Sequence, residues 1–124
     1  MTPNQLEKLF IEQIGDLYDA EKQLVKALPK LEKAADSEEL ATAIHEHLAE
    51  TEDQVRRLEQ VFDVMEIPAK AKPCKAMKGL IQEGSEAIET ALYLVRQQRR
   101  LNPHQPGASR LFKGEKCPAH LARG

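Results

Sequence analysis

Apolar residues recur at every third or fourth position over most of the first 95 residues. This spacing places them on one face of an α-helix. A first long helix is predicted to begin at Pro3, because Thr2 is a suitable N-cap, proline suits the first helical position and Gln5 completes a capping box. The seam of this helix consists of Phe10, Ile14, Leu17, Glu21, Leu24, Leu28, Leu31 and Ala35.

A second helix is predicted after the polar segment Asp36-Ser37-Glu38-Glu39, which has the composition of a turn followed by a helix cap. It is expected to end at Ile67-Pro68, since proline cannot continue a helix. A turn this short makes the two helices an antiparallel hairpin. The seam of the second helix consists of Leu40, Ile44, His47, Thr51, Gln54, Leu58, Val61 and Met65.

A third helix is predicted from about Cys74 to Arg96, and it is weaker because it contains Gly79 and Gly84. The periodicity is lost from Asn102 onward. The sequence therefore predicts an all-α fold, in which a long antiparallel hairpin is followed by a weaker third helix and an irregular tail. We expect residues 1–96 to form the helical region and residues 97–124 to form a basic, disordered tail.

The composition agrees with a helical, water-exposed chain. Aromatic residues make up only 4% of it and tryptophan is absent, which argues against a β-sandwich or barrel. No run of 18 apolar residues is present and the N-terminus has no secretory signal, so no membrane span is expected. The two cysteines, Cys74 and Cys117, are too far apart in sequence to form a C-x-x-C motif. These features together predict a cytoplasmic protein.

Charge divides the chain near residue 90. Residues 1–90 hold 19 acidic and 11 basic residues, a net charge of −8, whereas residues 91–124 hold 7 basic residues and one acid, a net charge of +6. Such a tail is typical of a nucleic-acid arm, a flexible end or an altered reading frame. Nucleic-acid binding is not expected, because the tail lacks the interleaved aromatic side chains that stack on bases.

Polar residues interrupt both seams at one level. Glu21 is the one charged residue in the first seam, and His47 and Gln54 interrupt the second seam, with Glu50 beside them. Counted from the turn at Asp36, Glu21 lies 15 residues before it and Glu50 lies 14 after it. At about 1.5 Å per residue, the two carboxylates are predicted to lie at nearly the same height.

Two interpretations of this layer remain open. In one, the polar residues fix the register of packed helices, as a buried polar residue does in coiled coils. In the other, they are half of a carboxylate di-metal site, and the candidate metal ligands are Glu21, Glu50, Gln54 and His47. Iron or manganese would suit such oxygen-rich ligands. The match to the Glu-x-x-His pattern is imperfect, since Asp53 follows Glu50 by three residues where a histidine would stand.

Three segments resemble the YciF-type family of stress-associated bacterial proteins. They are LFIEQIGDLYDAEKQLVKALPKLEKAA, IHEHLAETEDQVRRLEQVF and CKAMKGLIQEGSEAIE, and the resemblance covers roughly residues 5–90. It implies a ferritin-like four-helix bundle, with Glu21 and Glu50 as carboxylates of the first half of a metal layer. Position 54, a glutamine here, is often a histidine in this family, which weakens the expectation of a metal.

The family pattern continues with a second helix pair that is absent after Thr90, which suggests truncation or a frameshift. The resemblance thus implies a stress-associated protein with a partial metal layer and no complete di-metal site. The alternative is a helical interaction module that forms a homodimer without metal. Enzymatic activity is not expected of one chain, since such sites draw ligands from four helices. Self-association is expected, because two helices leave an apolar stripe uncovered.

Overall fold

The computed structural model describes residues 1–102, which contain three α-helices and no β-strand. They are α1 (Pro3–Ala34), α2 (Glu38–Val64) and α3 (Lys75–Leu101). The predicted all-α fold is confirmed, and α1 and α2 pack against each other as the predicted hairpin. The third helix ends at Leu101 rather than at about Arg96. The tail predicted from residue 97 lies, beyond residue 102, outside the described residues.

Side-chain caps fix the start of both hairpin helices. The Thr2 hydroxyl accepts a hydrogen bond from the Gln5 backbone at 3.3 Å, and the Thr2 backbone N–H donates to the Gln5 side chain at 2.8 Å. The Ser37 hydroxyl accepts from the Leu40 backbone at 3.0 Å at the start of α2. These bonds satisfy N–H groups that have no partner inside the helix, so the chain reverses direction within three residues, 35–37.

The hairpin core lies at the end far from the turn. Ile14, Tyr18 and Phe62 form a buried cluster, and the rings of Tyr18 and Phe62 meet edge to face at a centroid distance of 5.6 Å. The Tyr18 hydroxyl donates a hydrogen bond of 2.9 Å to Glu59. Burial, together with the bond to Glu59 and its negative charge, raises the pKa of Tyr18. The phenol therefore stays protonated and keeps its donor role.

The segment 65–74 turns back from α2 and lies against α1. Its start has a left-handed residue, Glu66, with φ of 55°. Its Lys72 backbone N–H donates to the Gly15 carbonyl at 2.9 Å, and Gly15 is buried beneath the segment. A Cβ at position 15 would lie 3.0 Å from the Lys70 carbonyl oxygen and 3.4 Å from the Lys72 Cβ. A Cβ there would require the 65–74 segment to move by a few tenths of an ångström, so glycine suits this close approach of the two backbones.

Two glycine-to-alanine substitutions are expected to change stability in opposite directions. Gly15→Ala should lower the free energy of unfolding by about 1 kcal/mol, because overpacking against the 65–74 segment outweighs the better helix propensity of alanine. Gly79→Ala should raise it by about 0.5–1 kcal/mol, since nothing lies within 4 Å of a Cβ there. Urea unfolding followed by circular dichroism measures both. A gain in Gly15→Ala equal to that in Gly79→Ala would contradict the close approach.

The described residues divide into two compact units, one of residues 1–81 and one that begins at residue 82. The first contains the hairpin, the 65–74 segment and the first turns of α3. In the second, α3 continues to Leu101 with an amphipathic pattern, and none of the residues of α3 is buried. No described helix has a stretch long and apolar enough to cross a lipid bilayer.

Candidate functional site: the open face of the hairpin

The seam of α1 separates into two rows with different surroundings. Ile14 and Leu28 are buried toward α2, with Glu21 between them. The second row is only partly covered, and we call it the open row of α1: Phe10, Leu17, Leu24 and Leu31. Leu17 is 52% exposed and Leu31 39% exposed, although both belong to the predicted apolar seam. A single neighbouring helix covers one edge of a seam and leaves the other edge to solvent.

The seam of α2 is divided in the same way. Ile44 and Thr51 are buried, and the Thr51 hydroxyl is satisfied by donating to the His47 carbonyl at 2.8 Å. The remaining row is exposed or half-buried, and we call it the open row of α2: Leu40, His47, Gln54 and Val61. The two open rows together form the open face of the hairpin.

Glu21 and Gln54 meet across the hairpin at this face. With the Gln54 amide oriented so that its nitrogen faces Glu21, that nitrogen lies 3.2 and 3.1 Å from the two carboxylate oxygens. Glu21 is half-buried, so its charge is partly removed from water and needs a donor. The Gln54 amide supplies that donor. His47 and Glu50, the other two candidate ligands, are exposed.

Counting residues from the turn places Glu21 opposite Glu50, but Glu21 contacts Gln54, which lies one turn farther along α2. The same offset appears at Tyr18, which bonds Glu59, and at Glu32, which lies 3.3 Å from His45. Side chains lean toward the N-terminus of their own helix. In an antiparallel hairpin, α1 side chains therefore lean away from the turn and α2 side chains lean toward it. Equal Cα heights thus do not predict side-chain contacts.

The described residues contain no group of donors that would hold a metal ion by itself. Among residues 1–102, no three His, Cys, Asp or Glu side chains are grouped closely enough to hold a metal ion. Glu21 already accepts hydrogen bonds from the Gln54 amide, which is a neutral partner. The assignment of Glu21, Glu50, Gln54 and His47 as metal ligands stays a prediction, and it needs donors from beyond residues 1–102.

A second polar cluster was not predicted from the sequence. The Asp19 carboxylate accepts from the Cys74 backbone N–H at 2.7 Å and from the Gln23 amide at 2.6 Å, and Gln23 also donates to the Cys74 carbonyl at 3.2 Å. The Cys74 bond is the main cause of a lowered pKa of Asp19, followed by the bond from Gln23. We call this cluster the Asp19 clasp. Asp19 and Gln23 are one turn apart, but nothing local indicates that Cys74 returns to them.

Residues 5–93 match the family model described as a domain of unknown function, DUF892. The chain belongs to the DUF892 family. Protein YciF of Escherichia coli is 43% identical over 91 residues, which cover 73% of this DUF892 chain. The crystal structure of the E. coli stress protein YciF is also similar, with a TM-score of 0.61 and 38% identity over 74% of this chain. The predicted YciF-type resemblance is confirmed.

The match leaves a large part of the longer relative unaccounted for. The DUF892 chain spans 55% of Protein YciF in the sequence comparison and 64% of the crystallised chain in the structural comparison. The similarity therefore applies to the hairpin and to α3 up to about residue 93.

Proposed function

We propose that this chain is a ferritin-like, stress-associated protein whose hairpin acts as one half of a four-helix bundle. In this proposal, the Glu21–Gln54 pair sets the register of that bundle. The description of YciF as a stress protein supports the association with stress. The observation that carries the structural role is the hydrogen bonding of Glu21 to a neutral amide within an otherwise apolar seam.

The physical argument concerns what happens when the open face is covered. Covering removes Glu21 from water, which costs several kcal/mol for an unpaired carboxylate. The Gln54 amide reduces this cost in one alignment of α1 and α2 only. A shift of α2 by one turn would bring Thr51 or Leu58 to the place of Gln54, and neither side chain supplies the N–H donors of an amide. A polar pair of this kind selects one register at some cost in stability, as in coiled coils.

A second candidate function is binding of iron or manganese by Glu21 and Glu50, with further donors from outside the chain. The observation that favours it is the position of a half-buried carboxylate in an apolar seam, with a second acidic residue one turn from Gln54. Carboxylates on facing helices are the ligands of di-metal sites in four-helix bundles. The chain would supply part of such a site, and Gln54 would have to release Glu21.

Glu21→Gln separates the two candidates, because it keeps the shape and removes the charge. If the layer is structural, manganese should not change the thermal unfolding of the unmodified chain, and Glu21→Gln should be as stable or up to about 1 kcal/mol more stable. If the layer binds metal, saturating manganese should stabilise the unmodified chain by about 2–3 kcal/mol. That shift should vanish in Glu21→Gln and persist in the control Glu46→Gln, whose side chain is exposed.

A further inference from the structure

A cavity of about 490 Å³ lies between α1, the end of α2 and the 65–74 segment. Small-molecule sites in proteins typically have volumes of about 300–1,000 Å³ and predominantly apolar walls. The residues that line this cavity belong to neither open row. Most of their side chains are apolar: Ile11, Phe62, Ile67, Pro68, Ala71 and Pro73. Both the volume and the lining therefore suit a ligand with an apolar body.

Two backbone hydrogen bonds hold the wall that the 65–74 segment contributes. The Ile67 N–H donates to the Phe62 carbonyl at 3.1 Å, and the Lys72 N–H donates to the Gly15 carbonyl at 2.9 Å. Between these two anchors the chain is only four residues long, and Pro68 restricts its backbone further. The fold itself therefore forms the cavity, so a ligand does not have to order the segment in order to bind.

The exposed rim of the cavity is positively charged. Its ionisable side chains are Lys70, Lys72 and Glu12, which give a net charge of +1. The Lys72 ammonium lies 3.6 Å from the Glu12 carboxylate, and both side chains are more than half exposed, so this ion pair is weak. Lys70 has no acidic partner among residues 1–102. An anionic group at the rim would therefore find one free ammonium and a second one that is only weakly held.

We propose that this cavity binds a free medium-chain fatty acid, which is an alkyl chain with one carboxylate head group. The alkyl chain occupies the apolar interior beside Phe62 and Ile67, where each CH₂ group that leaves water adds to the affinity. The carboxylate accepts hydrogen bonds from Lys70 and, in place of Glu12, from Lys72. This site is separate from the open face, so its test does not depend on the bundle proposal.

Calorimetric titration of the full chain with sodium decanoate, at neutral pH and below the concentration at which micelles form, tests the site. One decanoate should bind per chain. Butanoate, which has the head group without the long chain, should bind at least about tenfold more weakly. Decanol, which has the chain without the charge, should bind about fivefold more weakly. An absence of decanoate binding would overturn the proposal, as would butanoate or decanol binding as tightly as decanoate.

Lysine variants test the rim. Lys70→Gln/Lys72→Gln should weaken decanoate binding by about tenfold and leave decanol binding unchanged, because only the charged head group loses its partners. The matched control is Lys30→Gln/Lys33→Gln, which removes the same charge from exposed positions of α1 that do not line the cavity. It should keep both affinities. Equal losses of decanoate affinity in the two double variants would overturn the assignment of the head group to this rim.

Two further variants act in opposite directions. Glu12→Gln should strengthen decanoate binding by about twofold, because it releases Lys72. Ala71→Leu fills part of the cavity and should weaken decanoate and decanol alike by at least about tenfold, with circular dichroism as the check on folding. If Ala71→Leu does not fold, the lysine and Glu12 variants still decide, since their side chains are exposed. A folded Ala71→Leu variant that binds decanoate as the unmodified chain does would place the ligand elsewhere, which overturns the proposal.

Discussion

Phe62→Ala is expected to lower the free energy of unfolding of the hairpin by about 3–5 kcal/mol. Phe62 is 1% exposed, packs edge to face on Tyr18, and lies under Ile67 and Ala71 of the returning 65–74 segment. Truncation would leave a cavity where α1, α2 and this segment meet. A small domain has a total stability of only about 5–15 kcal/mol, so the variant would retain little of it.

The control for this prediction is Val64→Ala, two residues later in the same helix. Val64 is 84% exposed, so its loss should change stability by no more than about 0.5 kcal/mol. Urea unfolding measured by far-ultraviolet circular dichroism gives both values. If Phe62→Ala does not fold, Phe62→Leu should still show a loss of about 1–1.5 kcal/mol. Equal midpoints for Phe62→Ala and Val64→Ala would show that the core lies elsewhere.

The helices of the hairpin could be predicted because their signals are local. The capping box at Thr2 and Gln5, the three-to-four spacing of the seams and the polar turn near Asp36 all act within a few residues. The end of α3 predicted from the sequence, at about Arg96, is too early, since the helix runs to Leu101. The glutamines and arginines that follow are good helix formers, and the helix stops only before Asn102, which precedes Pro103.

The sequence predicted the residues of the polar layer better than their contacts. Periodicity assigns Leu17 and Ile14 to the same seam, but it cannot say which of them the neighbouring helix covers. That depends on the rotation of α1 against α2, which the whole interface determines. Counting residues from the turn aligned Glu21 with Glu50, whereas the lean of side chains toward their N-termini brings Glu21 to Gln54.

The return of the 65–74 segment to α1 could not be predicted. Its anchors join residues more than 50 positions apart, Gly15 with Lys72 and Asp19 with Cys74. A glycine in the middle of a helix lowers helix propensity. The backbone of the returning segment explains why residue 15 is nevertheless glycine. Long-range contacts of this kind leave no periodic pattern in the sequence, so the sequence does not predict them.

The Asp19 clasp is expected to make the protein less stable in acid. The pKa of Asp19 is lowered in the folded chain, chiefly by the bond from the Cys74 N–H, so folding favours the charged carboxylate. Its stabilisation is complete above the unfolded pKa of about 3.9 and is lost as the pH falls through the lower folded value. The effect therefore belongs to the acid limb of the stability curve, below about pH 4.

Asp19→Asn is expected to lower the free energy of unfolding at neutral pH by about 1–2 kcal/mol, since the Cys74 N–H and the Gln23 amide then meet a neutral oxygen. The difference in the free energy of unfolding between the variant and the unmodified chain should shrink to near zero at a pH low enough to protonate Asp19 in both the folded and the unfolded chain. Urea unfolding from pH 7 down to about pH 2 measures it, with the exposed Asp63→Asn as control. Parallel curves for Asp19→Asn and the unmodified chain would mean that the charge of Asp19 does not hold the segment.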